Sequence, residues 1–508
     1  MGAAIRASRY YLEIVNTTFA NNEAIRGGGA VHVFCGGVEV EAATFTNCRV
    51  KNGTGGALRA ARVREMRLSQ SLFSQNSAAG FPSGDGGGLS VYRSHRLNVA
   101  SSTFSVNGAA RDGGGVHVLG RTDVIVTDSQ FSGNNAGNSG GGFSGAYNNN
   151  VTVTESKFSN NSAGNSGGGV SVLDEPTSVS TLSDNGASNS GGGVSVFDRS
   201  GVRVANSTFL DNVAGDSGGG VSVVGRSTAV MNSTFSNNSG GKHGGGVFVE
   251  FSPGVAVVQS EFSKNSAGAD NFAPASATHG GGGGVYISFG SGDLTVVEST
   301  FSNNRAAAGD GGAGGAGGGG ISAYNAGDIT VTNSTFSNNR ARGRAGGGAV
   351  SAFNAGDITV TNSTFSSNRA RGGAGVGAGG GLAVGGGIAA YEGGDVTIRN
   401  STFRKHSAWT GGTLYMDKVA LTIASSVVVD GVADRAGGGI SVGGIQGGLT
   451  LSNATITNNK ALLGGAVHLD ESSLMSQYFA HEESHFQGNV AFRGGGLFCR
   501  ACSKLRSC

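Results

Sequence analysis

The sequence predicts an all-β chain: a parallel β-helix, or solenoid, of about 17 coils with no substantial helix. Three observations predict it. A short phrase recurs along the whole chain, apolar residues within the phrase are spaced two apart, and 96 of 508 residues are glycine while only four are proline. Residues 327–338 read GDITVTNSTFSN and residues 356–367 read GDITVTNSTFSS, a repeat after 29 residues. The phenylalanine of this phrase recurs as Phe209, Phe235, Phe262, Phe301, Phe336 and Phe365, and at further positions towards both ends. Leu182, Val428 and Ile456 fill its gaps, which makes 17 marks mostly 24 to 31 residues apart.

Before each phenylalanine, Ile329 and Val331 flank Thr330, and the same apolar columns run through the other copies. A period of two is the signature of a half-buried strand. A second strand follows each glycine run, as in GGGVSV and GGAVHL. Glycine costs about 1 kcal/mol against alanine inside a helix, so these runs exclude helices and suit corners. Two or three short strands per unit, joined at Gly and Asn corners, make one coil. A single coil cannot bury its apolar face, so stacking supplies the core and each coil must match its neighbours. Phenylalanines would then stack as an internal ladder. Three residues after each stands an asparagine: Asn212, Asn238, Asn265, Asn304, Asn339 and Asn368 in the central copies. Asparagine tolerates unusual backbone angles at corners, and stacked copies can bond one another along the axis. Cys48, His406 and Gly431 interrupt that column.

The formal charge of +2 gives no reason to expect a nucleic-acid partner. No run of 18 apolar residues is present, so no membrane span is expected. The first residues lack a basic stretch followed by an apolar one and already resemble the middle of a repeat, which suggests a chain cut from a longer one. We expect a repeat domain over residues 1–498 and the start of a Cys-containing tail over 499–508. Five cysteines fix no disulfide framework, and exposed coil ends would favour end-to-end self-association.

The paired motifs G-G-[A/G]-[V/I/L] and F-x-x-N resemble the repeats of the polymorphic outer membrane proteins, the chlamydial-type surface autotransporters. They stand here as Gly28-Gly29-Ala30-Val31, Gly347-Gly348-Ala349-Val350 and Gly464-Gly465-Ala466-Val467, and as Phe336 to Asn339. The resemblance covers nearly the whole chain. It implies a single right-handed parallel β-helix of the pectin-lyase-like kind, placed on a cell surface or outside the cell and used in adhesion. The sequence departs from that family in showing neither a signal peptide nor a transporter barrel.

Several residue patterns invite chemistry. Asp293, Asp328, Asp357 and Asp395 share one column on four successive coils. Carboxylates one strand spacing apart repel, and Ca²⁺ between them would relieve this; the plainer reading is that Asp after Gly starts a strand. Thr295, Thr330, Thr359, Thr397, Thr422 and Thr450 form an outward column, flat enough for ice or a crystalline polysaccharide, or simply good strand formers. Arg59, Arg62, Arg64 and Arg67 form a basic stretch beside Glu65, suited to an anionic glycan or a solvated face. His481 to His485 match H-E-x-x-H, yet on a strand residues four apart lie ~13 Å from each other, too far for one zinc. Cys499 and Cys502 supply two thiolates of a four-ligand metal site, or a disulfide. Three swollen loops, residues 267–283, 306–319 and 370–387, share a corner and could form a contact surface. Sequons begin at Asn206, Asn333 and Asn362. Arg404, Lys405, His406 and Trp409 make the most irregular coil, but without a carboxylate pair.

The uniform wall points to a non-catalytic surface or secreted scaffold that binds a glycan or a protein. The alternative is a polysaccharide lyase or hydrolase. Such an enzyme needs paired carboxylates, or Ca²⁺ with a basic residue, gathered together, and no single coil breaks the repeat with such a set.

Overall fold

The computed structural model describes residues 4–80, 83–147, 150–173, 176–177, 181–198, 202–225, 227–268, 281–307, 317–343, 346–372, 383–444, 448–470, 478–499 and 504–507. They form two compact units: Met1–Ala229 with Asn238–Gly240, and Val230–Asn237 with Gly241–Cys508. Each unit is a pile of parallel coils. Among the described residues the strand that holds the Phe column, with Leu182, Val428 and Ile456 at its three gaps, occurs eight times in the first unit and nine times in the second, marks that bound about 16 turns.

Each coil carries four strands rather than the expected two or three. In the second unit one coil runs Ile321–Ala326, Ile329–Thr332, Thr335–Ser337 and Arg340–Arg342, and the next begins at Val350–Phe353. In the first unit the same order is Phe143–Ala146, Val151–Thr154, Lys157–Ser159 and Ser162–Ala163. The fourth strand, two to five residues long, falls between each F-x-x-N motif and the next glycine run. A strand also lies at Lys504–Ser507, inside the expected Cys tail, and pairs with Tyr478–His481.

Pairing is parallel and in register. Ile329 meets Ile358, Thr330 meets Thr359 and Val331 meets Val360. Ile329 and Val331 are buried while Thr330 and Thr332 are half exposed, as a period of two requires. Inside, phenylalanines stack on one another. From Phe19 to Phe158 consecutive centroids lie 4.5–4.9 Å apart. From Phe235 through Phe262, Phe301, Phe336 and Phe365 to Phe403 they lie 4.5–4.8 Å apart. Phe209 is also fully buried, in register with Leu182. That spacing is the interstrand distance, so every ring inside these two runs gains two aromatic neighbours.

The asparagines form a second internal ladder. Asn212 Nδ2 donates to Asn238 Oδ1 at 2.9 Å and to Leu182 O at 3.0 Å, and Asn238 Nδ2 donates to Phe209 O. In the second unit Asn265 donates to Asn304, Asn304 to Asn339, and Asn339 to Asn368, at 2.9–3.0 Å. Each amide thus satisfies both its donors and its carbonyl while buried. The interruptions keep part of the pattern: the Gly431 amide donates to Asn459 Oδ1, and the Asn368 amide donates to His406 Nδ1. One expectation is corrected. Left-handed backbone falls not on these asparagines but on the residue before each, such as Asn338 (φ 55), and on the asparagine opening N-S-T-F, such as Asn333 (φ 50). The serine two places before the phenylalanine builds a third buried ladder. Ser299, Ser334 and Ser363 amides donate to Ser334, Ser363 and Ser401 Oγ, each at 3.1 Å.

The glycine runs answer to steric need. Gly113 has φ +67, Gly114 lies against the Gly141 and Asn135 carbonyls where a Cβ would overlap them, and a Cβ on Gly115 would approach Phe131 Cδ1 at 3.2 Å. One glycine turns the chain and the next two admit the neighbouring coil.

Candidate binding site

Three of the four carboxylates of the expected calcium column accept backbone amides. The Asp328, Asp357 and Asp395 amides donate to the Oδ1 of Asp293, Asp328 and Asp357 at 2.8–2.9 Å. Each of these three carboxylates caps the next coil, so the repulsion that a cation was invoked to relieve is met by amide hydrogens. They do not converge into a cation cage.

Of the other expected groups, the threonine column is in place and the rest do not converge. Thr295 through Thr450 lie in register and half exposed on one face of the second unit. His406 is buried in the asparagine ladder and Trp409 is exposed, so the irregular coil does not gather the two at one site. His481 and His485 lie on two successive strands, Tyr478–Glu482 and His485–Gln487, and no helix presents them together. Cys499 is disulfide-bonded; Cys502 and Cys508 lie outside the described residues, as do 269–280, 308–316 and 373–382 at the heart of the three swollen loops. Asn206, Asn333 and Asn362 are exposed.

The basic stretch divides. Arg67 pairs with Glu65 at 3.1 Å on its own strand, and Arg62 lies 5.6 Å from the Phe34 ring centroid. Burial pushes the Arg59 guanidinium below its ordinary value. The corner that bears Arg62 continues as Arg93, Gly120 and Tyr147, all with left-handed backbone. Their amides link coil to coil: Arg62 donates to Tyr92 O, Arg93 to Leu119 O at 2.7 Å, and Gly120 to Ala146 O at 3.0 Å. Two large side chains therefore flank a position with none. The result is a pocket of about 660 Å³ lined by Tyr92, Arg93, Ser94, His95, Leu119, Gly120, Arg121 and Tyr147. A Cβ on Gly120 would lie 2.9 Å from Arg93 Cγ. Arg93 packs over the Tyr92 ring at 5.2 Å, which holds its guanidinium at the rim. The lining holds two guanidiniums, an imidazole and two phenol rings, and no carboxylate.

Next along these coils is a cluster that sequence reasoning missed. Arg111 donates to both oxygens of Asp85, Nε at 2.8 Å and Nη2 at 2.6 Å, and reaches Asp112 at 3.1 Å. The Asp112 amide donates to Asp85 Oδ1 at 3.3 Å, and Asp112 Oδ1 accepts from Asn138 Nδ2 at 2.8 Å and the Ser139 amide at 3.1 Å. His117 is 2% exposed and neither ring nitrogen has a hydrogen-bond partner. Burial pushes its imidazole down from the ordinary value, while the two carboxylates pull it up. Asp85, Asp112 and His117 bring one ligand atom each within 4.8 Å of one another. The signal was present but divided between coils: the column holding Asp85 and Asp112 continues as Ser139, Ser166, Ser190 and Ser217, and His117 stands where Ser90 and Ser144 stand in adjacent coils.

A right-handed β-helix region matches residues 2–164, 163–301 and 283–489. The chain belongs to the right-handed β-helix family. No curated protein and no solved structure matches it. Family membership establishes the fold and leaves the function to the site. Among the described residues no helix is long and apolar enough to cross a membrane.

Proposed function

We propose that this β-helix is a non-catalytic surface or secreted scaffold that binds an anionic polysaccharide at the Tyr92–Tyr147 corner. The observation that carries the reading is the composition of that pocket: Arg93, Arg121 and His95 beside two tyrosine faces, without an acid. Guanidinium forks match the carboxylate of a uronic acid, and tyrosine rings offer flat apolar faces to sugar C–H groups. The same corner continues through Arg62 on the preceding coil, which extends it along the axis as a long polymer requires. Adhesion through a glycan follows from the same geometry. Lyase or hydrolase chemistry is disfavoured at this corner because its lining holds no carboxylate to act as acid or base or to hold Ca²⁺.

The test is affinity electrophoresis of the full chain through gels containing polygalacturonate or a neutral glucan, with reducing ends scored in parallel. Retardation by polygalacturonate alone, lost in the Arg93→Ala/Arg121→Ala double variant and weakened at least tenfold in Tyr147→Ala, is the expected result. Equal retardation by the neutral glucan, retention in the variants, or release of new chain ends would overturn it.

A further inference from the structure

We propose that Asp85, Asp112 and His117 form a binding site for a divalent transition-metal ion of the zinc type. The proposal does not depend on the glycan reading. Two observations carry it together. The first is convergence: two carboxylate oxygens and an imidazole nitrogen within 4.8 Å of one another, contributed by two successive coils. The second is His117, enclosed, with both ring nitrogens unpartnered, although the adjacent coils place serine in the same column. The solenoid therefore does not need a histidine there for its strands to pair.

Ligand chemistry selects the ion. A neutral imidazole with two carboxylates suits Zn²⁺ or Co²⁺, while Ca²⁺ and Mg²⁺ prefer all-oxygen sets. Bonds of about 2.0–2.2 Å place neighbouring ligands ~3.5 Å apart, so a triangle that lies within 4.8 Å has at most about an ångström to close. The surroundings are those of a supported site. Asn138 Nδ2 and the Ser139 amide fix Asp112, and Arg111 with the Asp112 amide holds Asp85 through bonds that leave one lone pair of Oδ2 for an ion. With His117 neutral, two carboxylates and one guanidinium carry a net charge of −1, which a divalent ion reverses rather than compounds. Access lies past Arg111 and Asp112, whose side chains are 39% and 17% exposed.

The experiment is zinc titration of the chelator-stripped full chain by calorimetry, with ZnCl₂ as the probe, on the wild type, His117→Ser and Asp112→Asn. His117→Ser copies the residue that adjacent coils carry, and Asp112→Asn keeps an oxygen for Ser139, so a second variant remains should one fail to fold. Circular dichroism checks the fold of each. The wild type should bind about one equivalent of zinc more than either variant and show a higher melting temperature with zinc. Co²⁺ should give a visible absorption band absent from His117→Ser. Equal zinc uptake by the wild type and a folded variant, or a cobalt spectrum unchanged in His117→Ser, would overturn the site.

Discussion

Asn339 Nδ2 donates to Asn368 Oδ1 at 2.9 Å, and the Asn339 backbone amide donates to the same oxygen at 2.9 Å. One side-chain carbonyl therefore accepts two bonds from the coil before it. The other Asn339 side-chain hydrogen goes to Phe301 O at 2.9 Å, and Asn339 Oδ1 accepts twice from Asn304. Nothing is left over in a residue that water does not reach. The sheets stack through their backbones, and the ladder locks them at the corner where backbone pairing breaks.

Asn339→Ala should therefore cost about 3 kcal/mol or more, because Phe301 O and both Asn304 donors lose this partner together and Asn368 Oδ1 keeps only the backbone amide. Asn339→Asp should cost more at neutral pH, since a carboxylate turns acceptor lone pairs towards Phe301 O and Asn368 Oδ1. Its deficit should shrink in acid, as protonation restores one donor. Urea melts at pH 7 and pH 5 check both statements. An alanine variant melting with the wild type would show the ladder to be ornamental.

His406 gives the ladder a pH dependence. Burial holds its imidazole at about 4, against 6.5 in an open chain. Above pH 6.5 the ring is neutral whether the chain is folded or not, and stability is unaffected. As pH falls from 6.5 towards 4, the unfolded chain takes up a proton that the folded one refuses, so stability drops by about 3 kcal/mol in total. His406→Asn restores the repeat residue, with an oxygen for the Asn368 amide that His406 Nδ1 now receives. The variant should be more stable than the wild type at pH 5, with a flatter profile between pH 6.5 and 4. His32 and His117 are also held low by burial, but they are common to both proteins, so the difference isolates His406. Parallel profiles would remove His406 from the account.

How much of this was legible depended on whether one coil carried the signal. Phe336, Val331 and Asn339 repeat with fixed spacing, so columns could be read and stacking inferred. Ser334 repeats as faithfully, yet serine is ordinarily exposed, and its burial follows only from the neighbouring Oγ that its amide meets. The left-handed corner was displaced by one residue, from Asn339 to Asn338, because both are asparagine and only the backbone separates their roles. Asp85, Arg111, Asp112 and His117 were illegible for another reason. Asp85 belongs to one coil and the rest to the next, and only alignment of the glycine runs at Gly86 and Gly113 brings them together. The pocket depends on a missing side chain, Gly120, among glycines too numerous to single it out.

The aspartate column makes a prediction about calcium. Asp328 Oδ1 already accepts the Asp357 amide at 2.8 Å in an exposed setting. Asp328→Asn keeps that oxygen and lessens repulsion with its neighbours, so it should change stability by no more than about 1 kcal/mol. Millimolar Ca²⁺ should leave the wild-type melting temperature where it is. Should Ca²⁺ raise it, and Asp328→Asn abolish the rise, the column is a cation site after all.

Two glycines separate the steric argument from composition alone. At Gly114 a Cβ would fall against the Gly141 carbonyl and lie 2.6 Å from Asn135 O and 2.7 Å from Asn135 C, all of them backbone. Relief would require the coils to part, and the amides around Gly114 and Gly141 are the hydrogen bonds that hold them together. Gly114→Ala should cost about 3 kcal/mol or more. At Gly186 a Cβ would meet nothing within 4 Å, and its neighbours in the stack are Ser162 and Val213, which carry side chains there already. Gly186→Ala should be neutral or stabilising by about 0.5–1 kcal/mol, because alanine has fewer unfolded conformations to lose. Thermal melts of the two variants side by side decide the matter. If both are equally harmful, glycine serves this chain through flexibility. If only Gly114→Ala is, it serves through the space it leaves.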